Sequence, residues 1–244
     1  MNNILRRGIV RANIMNIALV LCFMSCSDSE VLKKNTNIEE IITGVSRSNI
    51  ENTISDLVAF ETRYPYEKQL EVADYLYKRL KEYVPHIEFH EYEYWGVNWK
   101  NVIGTIPGKK NPEEVVIVCA HLDTKSSKRL VYAPGADDNA SGCAAVLELA
   151  RILSKHSFNK TIKFILFSRE EEGQNGSMAY VSDIDRSKEQ IIAALNLDMI
   201  AYGSDDENID LVTRPKYGWL AKRVHNLAGL YGYNTKKIVK RHCY

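Results

Sequence analysis

The chain has 244 residues, of which 45% are hydrophobic and 26% charged, and its 32 basic and 31 acidic side chains leave a formal charge of +1. So even a balance gives no electrostatic footprint for nucleic acid. The length suffices for one α/β domain with a well-buried core.

At the N-terminus, Arg6, Arg7 and Arg11 precede an apolar run over residues 14–24 that ends in "FMSC". This is the pattern of an export signal, and it is short of the about 20 apolar residues a permanent membrane helix needs. Ser25 directly before Cys26 resembles a bacterial lipoprotein signal, which implies cleavage before Cys26 and lipid on that cysteine. The expected mature chain is lipid-anchored in the cell envelope, facing the periplasm or the outer surface. Removing residues 1–25 takes away three arginines and no acid, so the formal charge falls from +1 to −2. A peptide or small-molecule partner is therefore expected, with membrane contact through the anchor alone. Residues 26–37 are polar and suit a flexible tether. Cys119, Cys143 and Cys243 show no paired spacing, so no disulfide framework is expected. Cys119 and Cys143 lie in apolar runs and read as small buried hydrophobes.

From about residue 38 the pattern is that of one domain reaching residue 244. Residues 70–83 repeat Val72, Leu76 and Leu80 at helical spacing. "HIEFHEYEYW" alternates as a strand, with one slip near Glu91, and "NVIGTIP" reads as a second strand ending in a Pro-Gly turn. "VVIVCA" (115–120) and "TIKFILFS" (161–168) are nearly unbroken apolar or β-branched runs, as expected of strands buried on both faces. Between them residues 141–156 place Ala145, Leu149, Ile152 and Leu153 on one helical side. A short helical stretch, "GSMAYVSD", then precedes a third strand over residues 191–200. Strand, helix, strand, helix, strand predicts a largely parallel sheet covered by helices on both faces, with ligands gathered at the strands' carboxyl ends.

Potential metal ligands follow each of these three strands: His121 and Asp123 in "AHLD", Glu170 and Glu171 in "SREEEG", and Asp198 in "NLDM". Asp137 and Asp138 open the intervening helix and can reach the same crevice. The alternative for either is a helix cap, a place that Asn139 or Ser141 could fill equally, and Glu172 reads as a solvated charge. Imidazole and carboxylates without cysteine favour zinc or a related divalent ion. His86, His90 and His156 lie outside these motifs and read as surface or strand-edge residues.

"HLD", "GADDNASG", "EEEGQNGS" and "NLDM", in this order and spacing from about residue 63 to residue 198, resemble the di-zinc aminopeptidases of peptidase family M28. The resemblance implies a three-layer α/β/α sandwich with a mostly parallel mixed central sheet. It also implies two zinc ions bridged by one carboxylate. His121 and Asp198 would bind the first ion, Asp138 would bridge both, and Glu171 would bind the second. Glu170 would be the general base, and Asp123 would hydrogen-bond the His121 imidazole, fixing its tautomer. Asp137 would be structural. A cis peptide between Asp138 and Asn139 is also implied.

The chain departs from the family downstream. The second zinc normally takes a later histidine, often in a Ser-Asp-His string, and no such string is present. His225 lies in a helical pattern and reads as a helix-face residue, and His242 stands two residues from the last one. Further sheet strands expected of the family are not evident, so the C-terminal part of the fold is expected to be incomplete. The leading expectation is a zinc aminopeptidase that releases N-terminal residues from peptides, possessing two zinc ions or only one. The alternatives are a glutaminyl-cyclase-like single-zinc acyltransferase and a non-catalytic peptide-binding homologue.

Overall fold

The computed structural model describes residue 34 and residues 36–202, 209–233 and 235–240. They fall into two compact units, one spanning Ser48–Met199 and the other drawn from Met1–Arg47 and Ile200–Tyr244. The expected leader, Cys26 and His242 lie outside the described residues. Among the described residues, no helix is long and apolar enough to cross a membrane.

The unit Ser48–Met199 contains a five-stranded sheet. In chain order its elements are α2 (Arg47–Val58), α3 (Tyr66–Lys81), β1 (His86–Tyr94), β2 (Val97–Ile106), β3 (Asn111–His121), α4 (Gly142–Leu153), β4 (Lys160–Phe167), α5 (Asn175–Asp183) and β5 (Gln190–Asn196). The spatial order is β1-β2-β4-β3-β5. β1 with β2 and β2 with β4 are antiparallel, while β4 with β3 and β3 with β5 are parallel. The sheet is thus mixed, with the parallel half carrying the three strands whose ends bear the acids and the histidine. β1 runs in unbroken register against β2, without the slip expected near Glu91. The two are joined through Trp95 and Gly96, whose φ values of 53° and 72° suit the tight turn that a right-twisted hairpin needs.

Period-two alternation divides the core into two layers. Ile103, Ile117, Cys119, Ile165 and Phe167 pack with Tyr180 of α5 on one face. On the other face, Gly104 lies so close to α3 that an added Cβ would stand 2.7 Å from Leu80 Cδ2. Val102, Val116, Val118, Phe164 and Leu166 share that second face by register and are all buried. Burial on both faces explains why β3 and β4 read as unbroken apolar runs. β5 is an edge strand and differs: Ile191 and Ile192 are exposed.

Helix α3 forms for reasons visible locally. Its buried stripe is Gln69, Val72, Ala73, Leu76 and Leu80, Glu67 sits in its first turn, and Lys78, Arg79 and Lys81 sit in its last, all favourable to the helix dipole.

The other unit contains α1 (Thr36–Thr43), β6 (Ile209–Thr213), α6 (Gly218–Leu230) and β7 (Thr235–Lys240). α1 begins two residues inside the expected tether. β6 and β7 pair in parallel as a two-stranded sheet. Neither is read as a strand from the sequence: "IDLVT" and "TKKIVK" are short and partly polar, so neither stands out by hydrophobicity. His225 lies on α6, exposed, with its Nδ1 hydrogen-bonded to Thr235 Oγ1.

Candidate metal centre

The three parallel strands deliver their functional residues at one end. His121 is the last residue of β3, Glu170 and Glu171 follow β4 by three and four residues, and Asp198 follows β5 by two. Asp138 arrives from the irregular turn 136–141 that leads into α4, where Asp138 and Asn139 leave helical geometry and the peptide between them is cis.

His121, Asp138 and Asp198 each place one ligand atom within 4.8 Å of the others. His121 Nε2 stands 3.0 Å from Asp138 Oδ1 and 3.5 Å from Asp198 Oδ1. Ligands of a tetrahedral zinc with bonds of about 2.0–2.1 Å are separated by roughly 3.3 Å, so these spacings suit one ion. The donor set of one imidazole and carboxylates also suits it. His121 Nδ1 faces the carbonyl oxygen of Asp123 at 3.2 Å. A proton on Nδ1 donated to that carbonyl leaves the Nε2 lone pair directed at the two carboxylates.

Asp123 is completely buried, and its carboxylate meets more than the imidazole. Its Oδ1 is 3.5 Å from His121 Nδ1, whereas its two oxygens accept the backbone N–H groups of Glu170 at 3.0 Å and Glu171 at 3.1 Å. It orients the loop after β4 more directly than it orients the imidazole. Glu171 lies outside the three-residue convergence. Burial raises the pKa of its carboxyl, and the charge of Asp138 raises it further. Glu170 is raised chiefly by burial as well. For His121, burial alone would lower the pKa, but hydrogen bonds to Asp123, Asp138 and Asp198 outweigh it and raise it.

Asp137 is structural: its carbonyl and its Oδ1 both accept from Ser141 Oγ, at 2.7 and 3.2 Å. Glu172, read as a solvated charge, accepts hydrogen bonds from Tyr64 Oη and from Arg169 Nη2, the latter at 2.8 Å. The Arg169 guanidinium lies 4.3 Å from the Trp99 ring centroid and 4.9 Å from that of Tyr94. His90 is on an edge strand, as expected, but it is not a free surface residue: its ring nitrogens meet Asp183 Oδ2 and Asn101 Nδ2, each at 3.0 Å.

Two buried asparagines that did not stand out in the sequence hold the corners of the site. Asn139 Nδ2 donates to the Leu197 carbonyl at 2.8 Å, and its Oδ1 accepts the Gly142 N–H at 2.9 Å, joining the Asp138 turn to the residue before Asp198. Asn101 Oδ1 accepts the Ser168 N–H at 2.9 Å, fixing where the chain leaves β4. "GADDNASG" carries the signal for the first. A lone asparagine in mid-strand carries none for the second.

The model of peptidase family M28 matches residues 101–242, more than half of the chain. The chain belongs to peptidase family M28. A probable zinc metalloprotease of Pyrenophora teres f. teres is 30% identical over 189 residues, covering 67% of this chain and 41% of that protein. Leucine aminopeptidase 1 of Aspergillus niger is 31% identical over 186 residues, covering 70% of this chain and 47% of that protein. The M28 chain therefore spans less than half the length of these curated relatives. The crystal structure of the Legionella pneumophila LapA aminopeptidase superposes with a TM-score of 0.74 at 19% identity, covering 89% of this chain and 61% of that one. At that identity the likeness concerns the fold, and it agrees with the α/β architecture built around the mixed sheet.

Proposed function

We propose that this chain is a zinc-dependent aminopeptidase that releases N-terminal residues from peptides, held in the cell envelope by lipid on Cys26. The observation that carries the reading is the convergence of His121, Asp138 and Asp198 within 4.8 Å at the carboxyl end of the parallel strands. His121, Asp138 and Asp198 would hold one zinc, and Glu171, with Asp138, would be available to a second. Bound there, the metal supplies Lewis acidity that activates a water and polarises the scissile carbonyl.

The remaining chemistry belongs to side chains. The Glu170 carboxylate takes the proton of the attacking water and returns it to the leaving amine. Partial burial, which raises its pKa, brings its basicity closer to what such a shuttle needs. Asp123 holds the Glu170 amide and so aims that carboxylate. The carboxylates around the site favour a substrate with a free ammonium group, which is the selection an exopeptidase makes.

Zinc content and turnover of amino-acyl anilides test the reading together. The wild-type protein is expected to hold zinc and release the anilide, and Glu170→Gln to keep zinc while losing turnover. Turnover that persists in Glu170→Gln removes Glu170 as the base, and a protein without affinity for zinc removes the whole proposal. One zinc with cyclisation of N-terminal glutamine, and no anilide release, assigns the chain to the glutaminyl-cyclase chemistry instead. Cys26→Ser is expected to move the protein from the membrane fraction to the soluble one.

A further inference from the structure

Arg63 is fully buried, and it is among the largest side chains of the chain with no exposed surface. Its guanidinium is directed at main-chain carbonyls. Nε donates to Leu122 O at 2.9 Å, Nη1 to Pro134 O at 2.7 Å and Leu57 O at 3.2 Å, and Nη2 to Gly135 O at 2.9 Å. Its own backbone N–H donates to Thr124 Oγ1 at 3.0 Å. Leu122 lies between His121 and Asp123, and Gly135 lies three residues before Asp138. One planar group thus joins the corner that carries the imidazole to the turn that carries the bridging carboxylate, with α2 as the fixed base.

The fit around it is tight. Gly135 has φ of +48°, and a Cβ there would stand 2.9 Å from Arg63 Nη2, 2.3 Å from Thr124 Cγ2 and 2.2 Å from Asp138 O. The backbone before Asp138 therefore approaches the guanidinium more closely than any side chain on residue 135 would allow. The two residues before Arg63 are tied to the segment before Gly135 as well: Ala133 N–H donates to Glu61 O at 2.8 Å, and Thr62 Oγ1 to Arg129 O at 2.6 Å.

We propose that Arg63 is a positioning residue of the metal centre: it sets the separation between His121 and Asp138 before any ion binds, so that the protein binds zinc with a site already formed. This rests on the reading of His121, Asp138 and Asp198 as metal ligands. Lysine cannot replace it, because a single ammonium on a flexible stem does not span carbonyls that diverge as those of Leu122, Leu57, Pro134 and Gly135 do. Carbonyls left buried without a donor would draw the two corners out of register. Loss of an outer support of this kind costs about 10–100-fold in metal affinity.

The test is zinc affinity, measured by competition with a chromogenic chelator on the folded full-length chain, for wild type, Arg63→Lys and Leu76→Ala. Leu76 is also fully buried but lies on α3, which carries none of the proposed ligands and none of the carbonyls that Arg63 holds, so its truncation controls for lost stability. Arg63→Lys is expected to bind zinc about 10–100-fold more weakly, and Leu76→Ala to bind like wild type despite a lower melting temperature. Thr124→Val keeps the guanidinium and removes only the acceptor of the Arg63 N–H, so it serves if Arg63→Lys does not fold, with a smaller loss in the same direction expected. Wild-type affinity in Arg63→Lys, or in Thr124→Val where that variant stands in, overturns the proposal, as does an equal loss in Leu76→Ala. If the wild-type protein itself does not take up zinc, the metal-centre reading fails, and this inference with it.

Discussion

The Asp123 carboxylate accepts the backbone N–H of Glu170 at 3.0 Å, and its other oxygen accepts that of Glu171 at 3.1 Å. An acid two residues beyond the histidine on β3 therefore holds the main chain of the loop leaving β4. The two strands are hydrogen-bonded neighbours, with His121 paired to Phe167, so the bond extends the ladder past the end of the sheet by using a side chain. It converts strand register into the position of the proposed general base.

Asparagine at position 123 is nearly isosteric but has one acceptor oxygen and an NH2 group that donates. One of the two amides then meets a donor in a site with no exposed surface. Asp123→Asn is expected to lower stability by about 1–3 kcal/mol, read from urea denaturation. In the proposed reaction it is expected to lower kcat by about 10- to 100-fold, the size of effect that a small misplacement produces. Unchanged kcat with lowered stability would show that the Glu170 amide bond does not aim the base.

His121, Asp198 and the acid pair after β4 were legible because each follows an apolar run whose meaning is unambiguous: two buried strands and one parallel neighbour imply ends that meet. The supports of these residues were less legible, since their roles depend on where a side chain points after the chain has folded. Arg63 is one arginine in "ETRYP" until burial shows it among carbonyls. The resemblance implies that Asp123 serves the imidazole, but it gives no sign of the amide that Asp123 also holds, from a segment 47 residues away in sequence. Glu172 resembles a surface charge unless Tyr64 and Arg169 are known to reach it. The strands β6 and β7 were missed for another reason: each is five or six residues long with polar positions, so periodicity had too little to work on.

Gly142 opens α4 where the Asp138 turn meets the end of β5. A Cβ there would stand 2.2 Å from Leu197 O and 2.4 Å from Asn139 Oδ1, and neither neighbour is the free end of a flexible chain. Gly142→Ala is expected to displace the Asn139 side chain from the Leu197 carbonyl and to cost about 1–3 kcal/mol in stability, despite alanine's better helix propensity. Because Leu197 precedes Asp198, zinc affinity is expected to fall as well. A melting temperature at or above that of wild type would show that the turn relaxes freely.

Cys119 and Cys143 are buried free thiols, and burial pushes their pKa values up to about 12 and about 11. Both are expected to resist alkylation in the native protein at mildly alkaline pH and to react once urea unfolds it, as peptide mapping would show. The linkage has a definite sign. The native state keeps these protons after the unfolded chain has released them, so stability is fully present below the ordinary thiol value of about 8.5 and is lost as pH rises. The slope is about 1.4 kcal/mol per pH unit for each thiol, ending near pH 11 for Cys143 and near pH 12 for Cys119. Cys143→Ala is expected to remove one thiol's share of that slope. Rapid alkylation of the folded protein would contradict the burial from which the argument starts.

Lys163 is a cation on the α5 face of β4, only 8% exposed, with its Nζ 2.5 Å from Glu189 Oε1 and 5.8 Å from the Tyr180 ring centroid. The two ways of breaking this pair are not equivalent. Glu189→Gln leaves the ammonium in its buried position without an anion, and is expected to cost about 1–3 kcal/mol. Lys163→Met fills the same space with an apolar chain next to Ile103 and Tyr180 while Glu189, at 30% side-chain exposure, turns to water. Its expected effect is between zero and a gain of about 1 kcal/mol, because the desolvation cost of the ammonium disappears with it. In the double variant, Glu189→Gln is expected to cost almost nothing, since the charge it would have stranded is gone. Urea denaturation of the four proteins measures all three numbers. Equal losses in the two single variants would mean that the pair contributes net attraction, and that the lysine is present for stability.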